Sequence, residues 1–134
     1  MGDLISSRSE WKKIAMEAIR VLASLGPNEY FDEESEKYHP VHIIVEKLSR
    51  SLFFDIEAFR RRFPSEKGRQ LWLPENPEHL TELAAEEVAM RLEWQRADER
   101  FVDGALDNAF QTGCLKAALE RLVSDFEKLR LRDE

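Results

Sequence analysis

Residues 76–113 read NPEHLTELAAEEVAMRLEWQRADERFVDGALDNAFQTG, and this stretch decides the fold class. Asn76 is a good helix cap, Pro77 fits the first helical position where no N–H is needed, and Glu78 suits the positive end of the helix dipole. At 100° per residue, Leu80, Leu83, Ala84, Val88 and Leu92 share a face with Phe101, Val102, Ala105, Leu106, Ala109 and Phe110. One apolar phase therefore runs through residues 77–112. An unbroken helix of that length would measure about 54 Å, whereas a domain of this size is about 35–40 Å across. The helix must bend or divide. Glu87, Arg91, Gln95 and Asp98 interrupt its apolar face and Gly104 follows, which places the break at residues 95–104.

The same period extends in both directions. Upstream, Ser7 and Glu10 have capping-box spacing, and Trp11, Ile14, Ala18, Leu22 and Leu25 form a stripe closed by Gly26-Pro27, with Gly26 expected in the left-handed conformation. Residues 28–39 carry five acids and no periodic apolar face, which reads as an exposed loop. Pro40 then opens a second helix with Val41, Ile44, Val45, Leu48 and Leu52 on one side. Asp55 is a cap for a short third helix burying Ile56, Phe59 and Phe63 and ending at Pro64. Leu71-Trp72-Leu73 before Pro74 reads as the one extended, strand-like piece. Downstream of Gly113, Leu115, Leu119, Leu122, Phe126 and Leu129 repeat at 4, 3, 4 and 3, a heptad seam through which the chain could associate with a second copy. The expectation is an all-α fold: a compact bundle of about five to six helices, with one long or kinked helix near residues 77–112, forming a single domain over residues 1–134.

Composition agrees. The chain has 134 residues, 43% hydrophobic and 35% charged, with five Gly and five Pro. That is too apolar for a disordered chain and long enough for a core without disulfides. The single Cys114 cannot form an intramolecular disulfide and is read as a small buried hydrophobe, which points to a reducing, cytoplasmic setting. No apolar run approaches the ~18 residues that a membrane span requires, and the first residues lack the basic and apolar regions of a secretory signal.

The net charge of −7 is unevenly spread. Residues 75–107 hold ten acids against Arg91, Arg96 and Arg100, while Arg60, Arg61, Arg62, Lys67 and Arg69 face only Glu66 within residues 58–70. The basic stretch, followed by Trp72, has the residue types that grip phosphates and stack on a base, so a nucleic-acid-binding regulator using residues 60–72 is one reading. The bland alternative is that these arginines pair with the chain's own acids in residues 28–39 or 78–99.

Catalytic patterns are sparse. His39, His42 and Glu46 could share a helix face, but one such spacing falls short of the paired Glu-x-x-His units of di-metal bundles. Glu82, Glu86, Glu87, Glu93 and Asp98 superficially suit magnesium over a pyrophosphate, but no second acidic helix opposes them, and a solvated acidic face explains them more simply. A divalent-metal enzyme on this carboxylate-bearing helix is therefore the third reading, and no metal or cofactor is assigned.

The sharper anomaly is Glu87, Arg91, Gln95 and Asp98 beside Trp94, polar residues in an otherwise apolar stripe. They form either an internal hydrogen-bonded network or a patch that meets a partner. The leading expectation is a non-enzymatic adaptor or regulatory protein that acts through protein–protein association, with Glu87, Arg91, Trp94, Gln95 and Asp98 as its partner-binding residues.

Overall fold

The computed structural model describes residues 4–66, 68–102 and 104–133. Among them lie six α-helices: α1 (Arg8–Ser24), α2 (Val41–Arg50), α3 (Ile56–Arg62), α4 (Ala85–Ala97), α5 (Ala105–Gln111) and α6 (Cys114–Ser124). Short 3₁₀ turns span Gly68–Leu71, Pro77–Glu82, Asp98–Arg100 and Phe126–Lys128. Two antiparallel two-residue pairings complete the architecture: β1 (Phe31–Asp32) with β2 (Lys37–Tyr38), and β3 (Leu52–Phe53) with β4 (Arg130–Leu131). The fold is compact and mostly α.

Helix α1 lies against α2 and α6, and α6 in turn packs on α4 and α5. Its sequence explains its place. The Ser7 hydroxyl accepts the Glu10 amide, and the buried face carries Trp11, Ala15, Ala18 and Leu22. Trp11 is fully enclosed, stacks on Phe126 at 4.6 Å and donates its indole N–H to the Leu48 carbonyl at 3.0 Å, which ties α1 to α2. Arg8 donates to the carbonyls of Phe126 and Leu129 at 2.6 and 2.8 Å, so the first turn of α1 holds the chain after α6. The stop at residue 24 differs from expectation: Leu25 is extended (φ −87°, ψ 138°), and Gly26 is not among the positive-φ glycines, Gly104 and Gly113.

The long apolar phase of residues 77–112 does divide. Asn76 caps its start as expected by accepting the Glu78 amide at 3.0 Å. Pro77–Glu82 nevertheless coils as a 3₁₀ turn, and Leu83 and Ala84 are extended. The Arg121 guanidinium takes the Leu80 carbonyl at 2.6 Å, the oxygen that an α-helix would have offered to the Ala84 amide. The second break falls at Asp98–Arg100, inside the expected interval. There the Glu99 carboxylate accepts the Leu106 amide at 2.7 Å and the Gly104 amide at 3.3 Å, serving the first turn of α5 from outside it. Because the helix ends here, Phe101 and Val102 do not join the core but are 78% and 45% exposed.

Further expectations are corrected. Residues 28–39 are not simply a loop: Tyr30 is fully buried, stacks on Phe110 at 4.9 Å, and leads into the β1–β2 hairpin. Leu71, Trp72 and Leu73 are buried but form no strand, since the Gln95 side chain takes the Leu73 amide. Ile44 of the expected α2 stripe turns outward beside Ile43, and His42 takes the inward place. Leu115, Leu119, Leu122, Phe126 and Leu129 are all buried within this chain's main core, which draws on residues from Ile5 to Leu131. The heptad seam is thus covered by α1 and α4 and offers no surface to a second copy. Helix α6 also ends at Ser124, and the chain beyond it turns back to pair as β4.

Candidate functional site

Four of the five anomalous residues on and after α4 form a closed internal network. Glu87, barely exposed, receives Arg91 at 2.9 Å from its own helix and Arg62 at 3.0 Å from α3. Arg91 also donates to the Gln70 and Trp72 carbonyls at 3.1 and 3.0 Å. Gln95, fully buried, accepts the Leu73 amide at 3.0 Å and donates to the Ala105 carbonyl at 2.7 Å. Asp98 accepts the Trp72 indole N–H at 2.6 Å. Together they hold residues 70–73 and the start of α5 against α4. A buried polar network is stable only when its members are all satisfied, and these are.

The fifth residue behaves differently. The indole nitrogen of Trp94 is buried, and it is the one such side-chain nitrogen or oxygen without a hydrogen-bond partner among the described residues. Leaving a buried donor unpaired costs about 1–3 kcal/mol, so such groups are rare and call for a reason.

Trp94 lies in the wall of an apolar groove of about 490 Å³, within the size range of ligand sites. Helix α4 supplies Met90, Glu93, Trp94 and Ala97, spaced i, i+3, i+4 and i+7 and therefore on one face. The opposite wall is Phe53 of β3, then Phe54 and Ile56 around the Asp55 cap, whose carboxylate accepts the Ala58 amide at 3.1 Å. Arg132 closes one edge. It is placed by the β3–β4 pairing, with its backbone amide on Ser51 O at 2.8 Å and its Nε on Leu52 O at 3.0 Å. Beneath, Trp94 lies 6.1 Å from the Phe59 ring, in a satellite cluster of Phe59, Leu71 and Met90 separate from the main core.

The charges at the groove are unequal in availability. Both Glu93 oxygens are engaged, by the Ser49 hydroxyl at 2.6 Å and by Arg96 twice at 2.7 Å, and this hydrogen bonding raises the Arg96 pKa. Arg132 uses only its Nε; its terminal nitrogens have no acceptor among the described residues, and the guanidinium lies 5.6 Å from the Phe54 ring centre. Sequence reasoning found Trp94 but not its partners in the groove. The signal it had was Leu52-Phe53-Phe54, a connection more apolar than a turn needs, with Phe53 41% exposed.

The basic stretch is only partly assembled. Arg62 salt-bridges Glu87, an acid of the expected 78–99 stretch, whereas Arg60 sits 3.8 Å from Glu57 of its own helix and Arg61 is exposed. Lys67 lies outside the described residues, and the side chain of Arg69 is likewise not described. Trp72 is 4% exposed and bound to Asp98, so it is not placed to stack on a base. Cys114, also buried, directs its thiol to Pro74 O at 2.8 Å, and burial raises its pKa.

A second polar constellation joins His39, His42 and Glu46, which their spacing already groups, to Tyr30, Tyr38 and Glu99, which it does not. The His42 Nδ1 and Tyr30 hydroxyl are 2.7 Å apart, the Tyr38 ring stacks on the imidazole at 3.7 Å, and the Tyr38 hydroxyl donates to Glu99 at 2.6 Å. The His42 ring faces Glu46 at 3.8 Å, and His39 accepts the Val41 amide at 3.0 Å. Burial lowers the His42 pKa below its ordinary 6.5 and raises both tyrosines well above 10. Among the described residues, no three His, Cys, Asp or Glu side chains come together as a metal-binding group.

No helix among the described residues is long and apolar enough to cross a membrane. The chain matches no protein-family model, no curated protein and no solved structure.

Proposed function

We propose that this chain is a non-enzymatic helical adaptor or regulatory protein that acts by docking a partner protein in the groove beside Trp94. One observation carries the reading: the other polar anomalies on and after α4 are satisfied internally, whereas the buried N–H of Trp94, whose side chain lines the groove, is not. Tryptophan, a large apolar ring with one polar donor, is enriched among the anchors of protein interfaces. Of the five carboxylates weighed for metal chemistry, Glu87, Glu93 and Asp98 already accept hydrogen bonds from arginine, serine or tryptophan side chains.

The test is affinity capture from native extract with the wild-type chain and with Ala97→Arg, which fills the groove from α4 without entering the main core. A stoichiometric protein retained by the wild type and lost by the variant is expected, with the variant's melting temperature unchanged. Identical capture by both would reject the groove. Nuclease-sensitive material held by both and lost only on neutralising Arg60 and Arg61 would move the function to α3.

A further inference from the structure

The groove is lined by apolar side chains, and its unengaged polar groups are all donors. They are the terminal nitrogens of Arg132 at the groove edge and the unpartnered Nε1 of Trp94, which is buried behind the ring that lines the groove. Its one acid, Glu93, is neutralised in place by Arg96. Next to it, a second depression shares Phe53 and Met90 and adds Arg62 and Arg130, together with Asp55, which is occupied as the α3 cap, and Glu86. Arg130 lies 4.7 Å from the Phe53 ring centre and Arg62 5.0 Å from that of Phe63, so both cations rest on aromatic faces at the margins. On a chain of net charge −7, the groove itself offers one unengaged charge, the cation Arg132, while the neighbouring depression sets Arg130 against Glu86 and holds Arg62 paired with Glu87.

Resting on the docking reading above, we infer that the partner is an acidic segment carrying one large apolar anchor. The anchor packs between Phe54, Ile56 and Trp94, and an aspartate or glutamate meets Arg132. Because the Trp94 N–H is itself covered, the indole turns slightly on binding and gains a carbonyl or carboxylate acceptor from the segment. Basic segments are disfavoured by Arg132 and Arg130 and have no free acid in the groove to pair with.

The experiment is selection of a random peptide library on the full chain, followed by NMR of the three indole N–H groups with a selected peptide. Enriched peptides are expected to combine an aromatic or leucine anchor with flanking Asp and Glu, and to lose affinity with salt. Affinity should fall at least about tenfold in Arg132→Gln and recover in part in Arg132→Lys. The Trp94 indole resonance should move downfield, while those of Trp11 and Trp72, already bonded to Leu48 and Asp98, stay in place. Enriched peptides that are basic or indifferent to charge, yet excluded by Ala97→Arg, would overturn the acidic partner and leave the docking groove standing. An unchanged affinity in Arg132→Gln would overturn it equally. Absence of any peptide sensitive to Ala97→Arg would overturn both.

Discussion

The indole N–H of Trp72 donates to the carboxylate of Asp98 at 2.6 Å, across 26 residues of sequence. The bond joins the segment before the Pro77–Glu82 turn to the point where α4 ends, so a ring that sequence patterning offers to a ligand instead holds two pieces of the fold together. Trp72→Phe keeps most of the buried area and removes the donor. A hydrogen bond to a charged group is worth about 1.5–3 kcal/mol, and the loss should lower the melting temperature by roughly 5–10 °C in calorimetry. An Asp98→Asn variant should lie between the two.

His42 gives the fold an acid sensitivity that can be assigned to one residue. Burial holds its pKa below 6.5, Arg96 acting in the same direction and Glu46 and Glu99 opposing. The unfolded chain therefore takes up the proton first as pH falls. Stability is fully present above about 6.5 and declines as pH drops from there toward the folded-state value. Denaturant unfolding at neutral and mildly acidic pH should show this slope in the wild type. In His42→Gln, which keeps polarity without a titrating proton, that part of the slope should vanish although the protein is weaker at neutral pH.

The two tyrosines make the opposite prediction at high pH. Tyr30 and Tyr38 are the whole tyrosine content of the chain, and burial, with Glu99 accepting from Tyr38, holds both phenols protonated. A raised folded-state pKa leaves stability intact below about 10 and erodes it above. Ultraviolet titration should therefore show no tyrosinate in the folded protein just above pH 10, and both groups ionising together when the chain unfolds.

Leu119, fully buried between α6 and its neighbours, tests the assignment of the heptad residues to the core. Leu119→Ala should cost about 2–5 kcal/mol through lost burial and the cavity left behind. If the seam packs within one chain, that cost is the same at low and high protein concentration. A cost that shrinks as the protein is concentrated would instead return the seam to an interface between copies.

Elements governed by local chemistry were legible in the sequence. The Ser7, Asp55 and Asn76 caps, the stripe of α1 and the break after residue 97 follow from side chains acting within a turn or two of themselves. What escaped depends on distant partners. Tyr30 is buried by Phe110 and His42, and two-residue strands such as β1 and β2 are too short to show alternation. The candidate site divides in the same way. Trp94 stood out as part of an anomaly on one helix, but the groove needs Phe53 and Arg132, brought together by a pairing across about 80 residues. The spacing also could not distinguish the residues that satisfy one another, such as Arg91 and Glu87, from the one that does not.

The pairing of β3 with β4 has a consequence for when this surface first exists. Phe53 is made about 80 residues before Arg132, and Arg8 fastens the chain just before β4. A nascent chain that has reached Phe53 and Phe54 carries the aromatic wall without its cationic edge, and acquires the finished groove only after residue 132 has emerged. On the docking reading proposed above, a chain can recruit through this groove only once residue 132 is in place.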